Sequence, residues 1–473
     1  MDAPNMTRDP DAVDGSRRSY LKAIGTAGIA AGLAGCSGGG SGGDGGGGGG
    51  SDGGSTGIGG DGGTQYAAIG NFPPEGDTVS IGFNGPTSGA LGPDGQDQEK
   101  GFDLAVTHLN DGGGLVDYWD RLSGGGIMGH RVEPSKADTA GSADTAQDNI
   151  DRMIQRDNIQ FWTGGMSSTV TMAMQNVAQR EKVPFMGGNS TSAGISGENC
   201  SRYYFHPTFH AEIIGMAMGE AAPAVLGEDR SLFHIYMDYS YGQSNRDAAR
   251  KYLTEQGPWE DAGGAAIAEG ETDHSSQIQA LEDSGADTLY FSSFGNFAAS
   301  GLAQLRDAGL TDDIDVIIPH VSAFTLDPLG ADAEGVLGME PWNPNADNEP
   351  SRVFVEAYQE EYGETPNQSS MHTYESMMVY AAAVEEAGTF HPPTVVRTLE
   401  EFEWSLAWGD SAFREADHQV ERPWYLVQGV GDDRAEELGI RTEVIETTDP
   451  LIYGTDEFPA SECAMGENEY GDE

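Results

Sequence analysis

The sequence predicts an α/β protein of two doubly wound lobes, and two observations predict it. From Asp77 onward, short apolar strands alternate with helices that carry one apolar stripe. That is the pattern of parallel sheets covered on both faces. The alternation also runs through twice, once up to about residue 205 and again from Ser231, so the chain builds two sheets rather than one.

The first series opens with Thr78–Phe83, which alternates at period two and reads as a strand. Gln96–Asn110 follows as a helix, with Phe102, Ala105, Val106 and Leu109 on one stripe. Gln160–Trp162 is a short strand, and Val170, Ala173, Met174, Val177 and Ala178 mark the helix after it. Pro184–Met186 is a further strand. The second series begins with the strand Ser231–Met237 and the helix Asn245–Gln256. Then come the strand Thr288–Phe291, a helix around Ala299–Ala308 and the strand Asp315–Ile318. Gly335–Met339 closes the run before two helices, Ser351–Tyr362 and Thr373–Ala387, and a last strand at Trp424–Val427. No internal repeat makes the two series duplicates of one another.

A chain of 473 residues with 37% hydrophobic content can bury the cores of two or three domains. Its charge is the outlier: 77 Asp and Glu against 24 Lys and Arg, a formal net charge of −53. Such a surface repels nucleic acid and anionic lipid. The acids are spread along the whole chain and lysine is confined to positions 22, 100, 136, 182 and 251. Molar salt shortens the screening length to ~3 Å and suppresses the self-repulsion, so the composition reads as adaptation to an extremely salty medium. The recurring apolar periodicity excludes an acidic disordered chain.

Residues 1–36 read as an address. Ser16-Arg17-Arg18-Ser19-Tyr20-Leu21-Lys22 resembles a twin-arginine export signal. The uncharged stretch Ala23–Gly35 is too short to span a bilayer, which takes roughly 20 apolar residues, and suits the apolar region of a signal peptide. It ends in Leu33-Ala34-Gly35-Cys36, which resembles a lipobox whose cysteine accepts lipid. Residues 37–76 begin as a run of Gly, Ser and Asp and read as a flexible tether. The expected location is the extracellular face of the membrane, where a disulfide between the two remaining cysteines, Cys200 and Cys463, is permitted.

In open α/β sheets ligands bind beyond the carboxyl ends of the strands. The loops there read Asn84–Gly89, Gly164–Thr169 and Gly187–Thr191 in the first series: small residues, hydroxyls and free backbone N–H groups that suit a carboxylate or an amide oxygen. The second series offers Asp238–Gly242, Ser292–Phe294 and His320, with aromatic rings and a titratable group for the other end of a small molecule.

These residues resemble a family. Pro86-Thr87-Ser88-Gly89, a Gly-rich turn and Gly101–Val106 are similar to the opening of the branched-chain amino acid-binding proteins of ABC importers, of the type I periplasmic-binding fold. The similarity continues through Gly129-His130, Gly164–Thr169, Val183–Phe185, Tyr241-Gly242 and Ala308-Gly309. The resemblance implies two lobes joined by a three-stranded hinge and closing on a ligand. It divides the body into residues 77–205 with 339–408, and 206–338 with 409–445, leaving 446–473 as an acidic tail. By position it implies a ligand site of Ser167, Ser168, Asn189 and Thr191 facing Tyr241, Phe294 and His320. The amino acid-binding members have a carboxylate where His320 stands; a neutral imidazole grips an ammonium group poorly, and Asp238 is the nearby acid. Amino acids, amides, urea-like compounds and small carboxylates therefore all stay open as ligands. The implied partners are an ABC permease and ATPase, the membrane through the lipid, and no nucleic acid; the protein is expected as a monomer without cofactor or metal. The same fold serves sensors that signal through a partner.

A secreted hydrolase is the rival class. The chain has no Gly-x-Ser-x-Gly elbow, and Gly82-Phe83-Asn84-Gly85 has the wrong spacing for a dinucleotide fingerprint. His206 and His210 are separated by Pro207, against a shared helix face, and Asp417-His418 has no serine placed to complete a triad.

Overall fold

The computed structural model describes residues 66–472 apart from 312, 451 and 452. The twin-arginine pair, Cys36 and most of the tether lie outside the described residues. The last part of the expected tether differs from expectation. Tyr66 stacks on His391 at 4.4 Å, and Asn71 donates to the carbonyls of Ile154 and Ile159. The aromatic and apolar residues that end the glycine run are thus packed on the first lobe, and the body starts before Asp77.

The first lobe carries five parallel strands in the order β2-β1-β3-β4-β5: β1 (Thr78–Gly85), β2 (Arg131–Asp138), β3 (Phe161–Gly164), β4 (Phe185–Gly187) and β5 (Tyr204–Phe205). Helices α1 (Gly92–Asp111), α2 (Ala143–Asp157) and α3 (Ser168–Glu181) connect them. Pro93 sits in the first turn of α1, where its missing N–H costs nothing; the helix accordingly starts four residues before the apolar stripe predicts.

The chain then crosses to the second lobe and continues there as α4 (Ala211–Leu226). Strands β6 (Ser231–Met237), β7 (Glu260–Ile267), β8 (Thr288–Ser292), β9 (Asp315–Ile318) and β10 (Leu337–Glu340) are parallel, in the order β7-β6-β8-β9-β10. Between them run α5 (Ser240–Ala249), α6 (Ser275–Ser284) and α7 (Gly295–Asp307). Helix α5 begins five residues earlier than the sequence predicts and passes into a π-helical turn, Arg250–Glu255.

After β10 the chain returns to the first lobe as α8 (Glu349–Tyr362), α9 (Gln368–Ala387) and α10 (Pro392–Glu400). Helix α9 lies against α1, and the approach is close: a Cβ on Gly101 would stand 2.0 Å from the Ser370 carbonyl oxygen, so only glycine fits there. A separate antiparallel sheet follows, β11 (Glu403–Leu406), β12 (Gly409–Phe413) and β13 (Val420–Glu421). Residues 409–421, grouped with the second lobe on the sequence, belong to this third sheet. The second sheet resumes only with β14 (Tyr425–Gly429) and β15 (Thr442–Thr447), both antiparallel.

The chain thus passes between the two large sheets at 206–210, 341–348 and 422–424. The acidic tail makes a fourth passage. Cys463 is bonded to Cys200, Arg397 pairs with Asp472 at 2.7 Å, and Tyr470 donates to Glu400 at 2.6 Å, all on the first lobe.

Candidate ligand-binding cleft

The two parallel sheets share one strand order. With strands numbered within each lobe it is 2-1-3-4-5, so each reverses direction between its first and third strands. The crevice at such a reversal is where doubly wound sheets bind ligands. Here the two crevices face each other. The loops after β1, β3 and β4 supply Asp94, Met166 and Asn189. Those after β6, β8 and β9 supply Tyr241, Phe294, Gly295, His320, Ser322 and Thr325, and Gln368 enters from the start of α9. Together they line a narrow cleft between the lobes. The lobes are in contact around it: Gln368 Nε2 donates to the Val321 carbonyl at 3.0 Å, and Ser192 and Ser244 share a hydroxyl contact at 3.3 Å.

Four of the residues implied by the resemblance meet in this lining: Asn189, Tyr241, Phe294 and His320. Tyr241 and Phe294 pack edge to face, ring centroids 5.0 Å apart. The Tyr241 hydroxyl donates to the Ser293 carbonyl at 3.3 Å, which turns the ring rather than the O–H to the cleft. Ser167, Ser168 and Thr191 do not line it. Ser167 is the N-cap of α3 and its side chain caps nothing, so the first-turn N–H groups of that helix have no capping acceptor from it. Ser168 accepts from the Ser192 backbone N–H, and Thr191 holds a buried hydroxyl without a partner. Asp238 is exposed and accepts from Gln243; it is no substitute for the missing acid.

An acid is nevertheless present. Asp94, which the sequence does not single out, is 4% exposed and lines the cleft from the first turn of α1. Burial pushes its carboxyl up to about 6, against the hydroxyls of Ser369 and Ser322 beside it. Asp97, one turn on, is pushed up to about 7 by burial, although it accepts from Tyr358 at 2.9 Å and from the Ser370 N–H at 2.7 Å. Asp97 thereby caps the N-terminus of α9 together with Asn367, whose side chain accepts from the Gln368 N–H. Across the cleft, burial pushes His320 down to about 4, so it is neutral. Its tautomer follows from its neighbour. Gln368 Nε2 donates to Val321 O, so the same nitrogen at 3.1 Å from His320 Nε2 is a donor, and the imidazole proton sits on Nδ1. Met166 lies in the expected ligand loop Gly164–Thr169, whereas Gly295, Ser322, Thr325 and Gln368 line the cleft without being expected there.

Two lobes with facing switch points, in contact around one cleft of polar and aromatic side chains, define a solute-binding protein that clamps a small molecule. The model of the periplasmic binding protein family matches residues 78–435, and the chain belongs to that family. Its fold is that of the type I members, which are solute-binding proteins rather than enzymes and work outside the cytoplasm. The chain is 24% identical over 350 residues to a Leu/Ile/Val-binding protein homolog of Brucella suis biovar 1 (strain 1330), covering 70% of this chain and 83% of the relative. An amino acid ABC transporter substrate-binding protein from Pseudomonas fluorescens Pf-5 superposes with a TM-score of 0.73 at 20% identity, covering 82% of this chain and 100% of that one. A solute-binding protein of an ABC transporter from R. palustris, solved with benzoate, gives 0.68 at 19% identity, covering 80% and 98%.

Proposed function

We propose that this chain is the capture component of an ABC importer: a lipid-anchored protein on the outer face of the membrane that closes on a small polar molecule and delivers it to a permease. The observation that carries the reading is the cleft itself, built from both lobes at their switch points. Asn189, Tyr241, Phe294 and His320 are the ligand contacts, with Asp94 added to them. The relatives' names for leucine, isoleucine and valine, and benzoate in a structural neighbour, support a small organic ligand.

The test is a thermal-shift screen of the full-length protein in molar salt against amino acids, short amides, urea, amines and small carboxylates. A ligand at ~1,000 times its Kd stabilises by about 4 kcal/mol and moves the melting temperature by a few degrees. A broad panel with no shift would refute the capture reading. The anchor and the transport role are tested together in cells. Cys36→Ala should release the protein into the medium and reduce uptake of the labelled ligand. Protein that stays on the membrane would sink the lipid anchor, and uptake that persists after release would sink delivery to a permease.

A further inference from the structure

Hydrogen-bond bookkeeping in the cleft leaves acceptors without donors. Ser369 Oγ donates to Asp94 Oδ1 at 3.3 Å, so it must accept at its other contact, 2.8 Å from Asn189. The Asn189 atom there is therefore the amide nitrogen, and its oxygen is fixed on the opposite side. That oxygen is buried and has no partner, in a residue only 3% exposed that lines the cleft. The same lining holds the buried Asp94 carboxylate, which among the described residues meets only the hydroxyls of Ser369 and Ser322 and no cationic side chain. An orphaned acceptor and a buried carboxylate with only neutral partners, lining one cleft, are costly unless something supplies charged N–H groups.

The charge points the same way. No lysine or arginine is among the lining residues, and the one imidazole is neutral. A buried carboxylate needs a positive partner, and here the protein supplies none. The ring pair Tyr241 and Phe294 presents aromatic surface to the same space, which also favours a cation.

Resting on the capture reading above, we propose that the cleft is selective for a small molecule carrying an N–H-bearing cation, an ammonium or a guanidinium, which Asp94 and Asn189 Oδ1 hold against the rings of Tyr241 and Phe294. Asp94 is then the specificity determinant, taking the part that a neutral His320 cannot. Because the pair is enclosed, molar salt screens it far less than it screens the surface. Ligands that are anionic only are excluded by the same carboxylate.

The experiment measures dissociation constants by titration calorimetry on the full-length protein in molar salt, with ligands matched in skeleton and differing in charge. Isoleucine is set against 3-methylpentanoate, butylguanidine against butylurea, and benzylamine against benzamide and against benzoate. In each pair that binds through this wall, the cationic member should bind at least ten-fold tighter, and Asp94→Asn should remove that advantage while leaving the neutral member within about three-fold. Wild-type preference for a cation should also weaken as the pH falls below about 6, where Asp94 takes up a proton. The other titratable groups facing it are Asp97 on the same helix, His320 and Tyr241, and none of them is cationic there above pH 5. Equal or tighter binding of the uncharged or anionic member, or an Asp94→Asn protein with unchanged cation preference, overturns the selectivity and leaves the capture function standing. Should Asp94→Asn fail to fold, the charge-matched pairs on the unaltered protein decide the matter alone. Absence of binding by every member of every pair would overturn both.

Discussion

His320 is neutral and carries its proton on Nδ1 because it is buried and because Gln368 is already committed to the Val321 carbonyl. It can donate one hydrogen bond and neutralise nothing. The same burial pushes His206 and His234 down to about 4 and holds His210 and His372 well below their ordinary value, so these four add no positive charge at neutral pH. That leaves the chemistry of the cleft to its acid, and the acid was the residue hardest to see in the sequence. Asp94 stands in the first turn of a helix after Pro93, where an acidic residue is expected simply as a partner of the helix dipole. Nothing in its neighbours marks it as buried. Gln368 and Ser369 are still less visible, since only the return of the chain after β10 brings them to Asn189 and His320. By contrast Asn189, Tyr241 and Phe294 were legible because each follows directly on a short apolar strand. Ser167, Ser168 and Thr191 share that position but are not among the lining residues; Ser168 is engaged within the first lobe by the Ser192 N–H.

Sheet centres were legible at the scale of elements, and sheet edges were not. β1, β6, β8 and β9 are buried apolar runs. β2 and β7 lie on the edges of their sheets, carry charges, Pro134 or glycines, and lack an apolar signature. The common strand order of the two sheets is likewise a property of topology that no sequence repeat announces. What joins the lobes is also set by a few contacts between distant segments. Arg422 stands in the third passage, donates to the Pro341 carbonyl in the second at 2.8 Å and to the Pro207 carbonyl in the first at 3.3 Å. Its guanidinium lies between Trp408 and Trp424, 4.6 and 4.2 Å from the ring centroids. Glu375 is its buried counter-charge; burial raises the Glu375 carboxyl, and Arg422 opposes that. One side chain thus pins the first three passages together. Arg422→Met should lower the free energy of unfolding by about 3 kcal/mol, because it strands the carboxylate and frees two carbonyls. Glu375→Gln in the same chain should restore part of the loss, and denaturant unfolding of the four members of this cycle measures the coupling. Strictly additive losses would show that Arg422 acts by packing between the tryptophans alone.

For the whole molecule the dominant quantity is the net charge of −53. The four lysines of the folded body are already engaged: Lys100 with Glu364, Lys136 with Glu99 and Asp103, Lys251 with Glu212, and Lys182 with the Glu469 carbonyl. Such exposed pairs are each worth little, so they do not offset a surface on which acids outnumber bases about three to one. Folding brings those acids together, and the repulsion is stronger in the compact chain than in the expanded one. The screening length is ~10 Å at 0.1 M salt and ~3 Å at 1 M, which spans the spacing between neighbouring surface charges. The melting temperature should therefore climb steeply between 0.1 and 1 M sodium chloride and flatten above it, with far-ultraviolet circular dichroism lost on dialysis to dilute buffer. Replacing chloride by sulfate at equal ionic strength separates two causes: screening predicts the same curve below 1 M, whereas exclusion of the salt from the protein surface predicts a larger gain with sulfate. A melting temperature indifferent to salt over the whole range would mean that the acids serve solubility and not folding. It would also place the origin of stability in the two lobe cores and the Arg422 junction, which no salt concentration reaches.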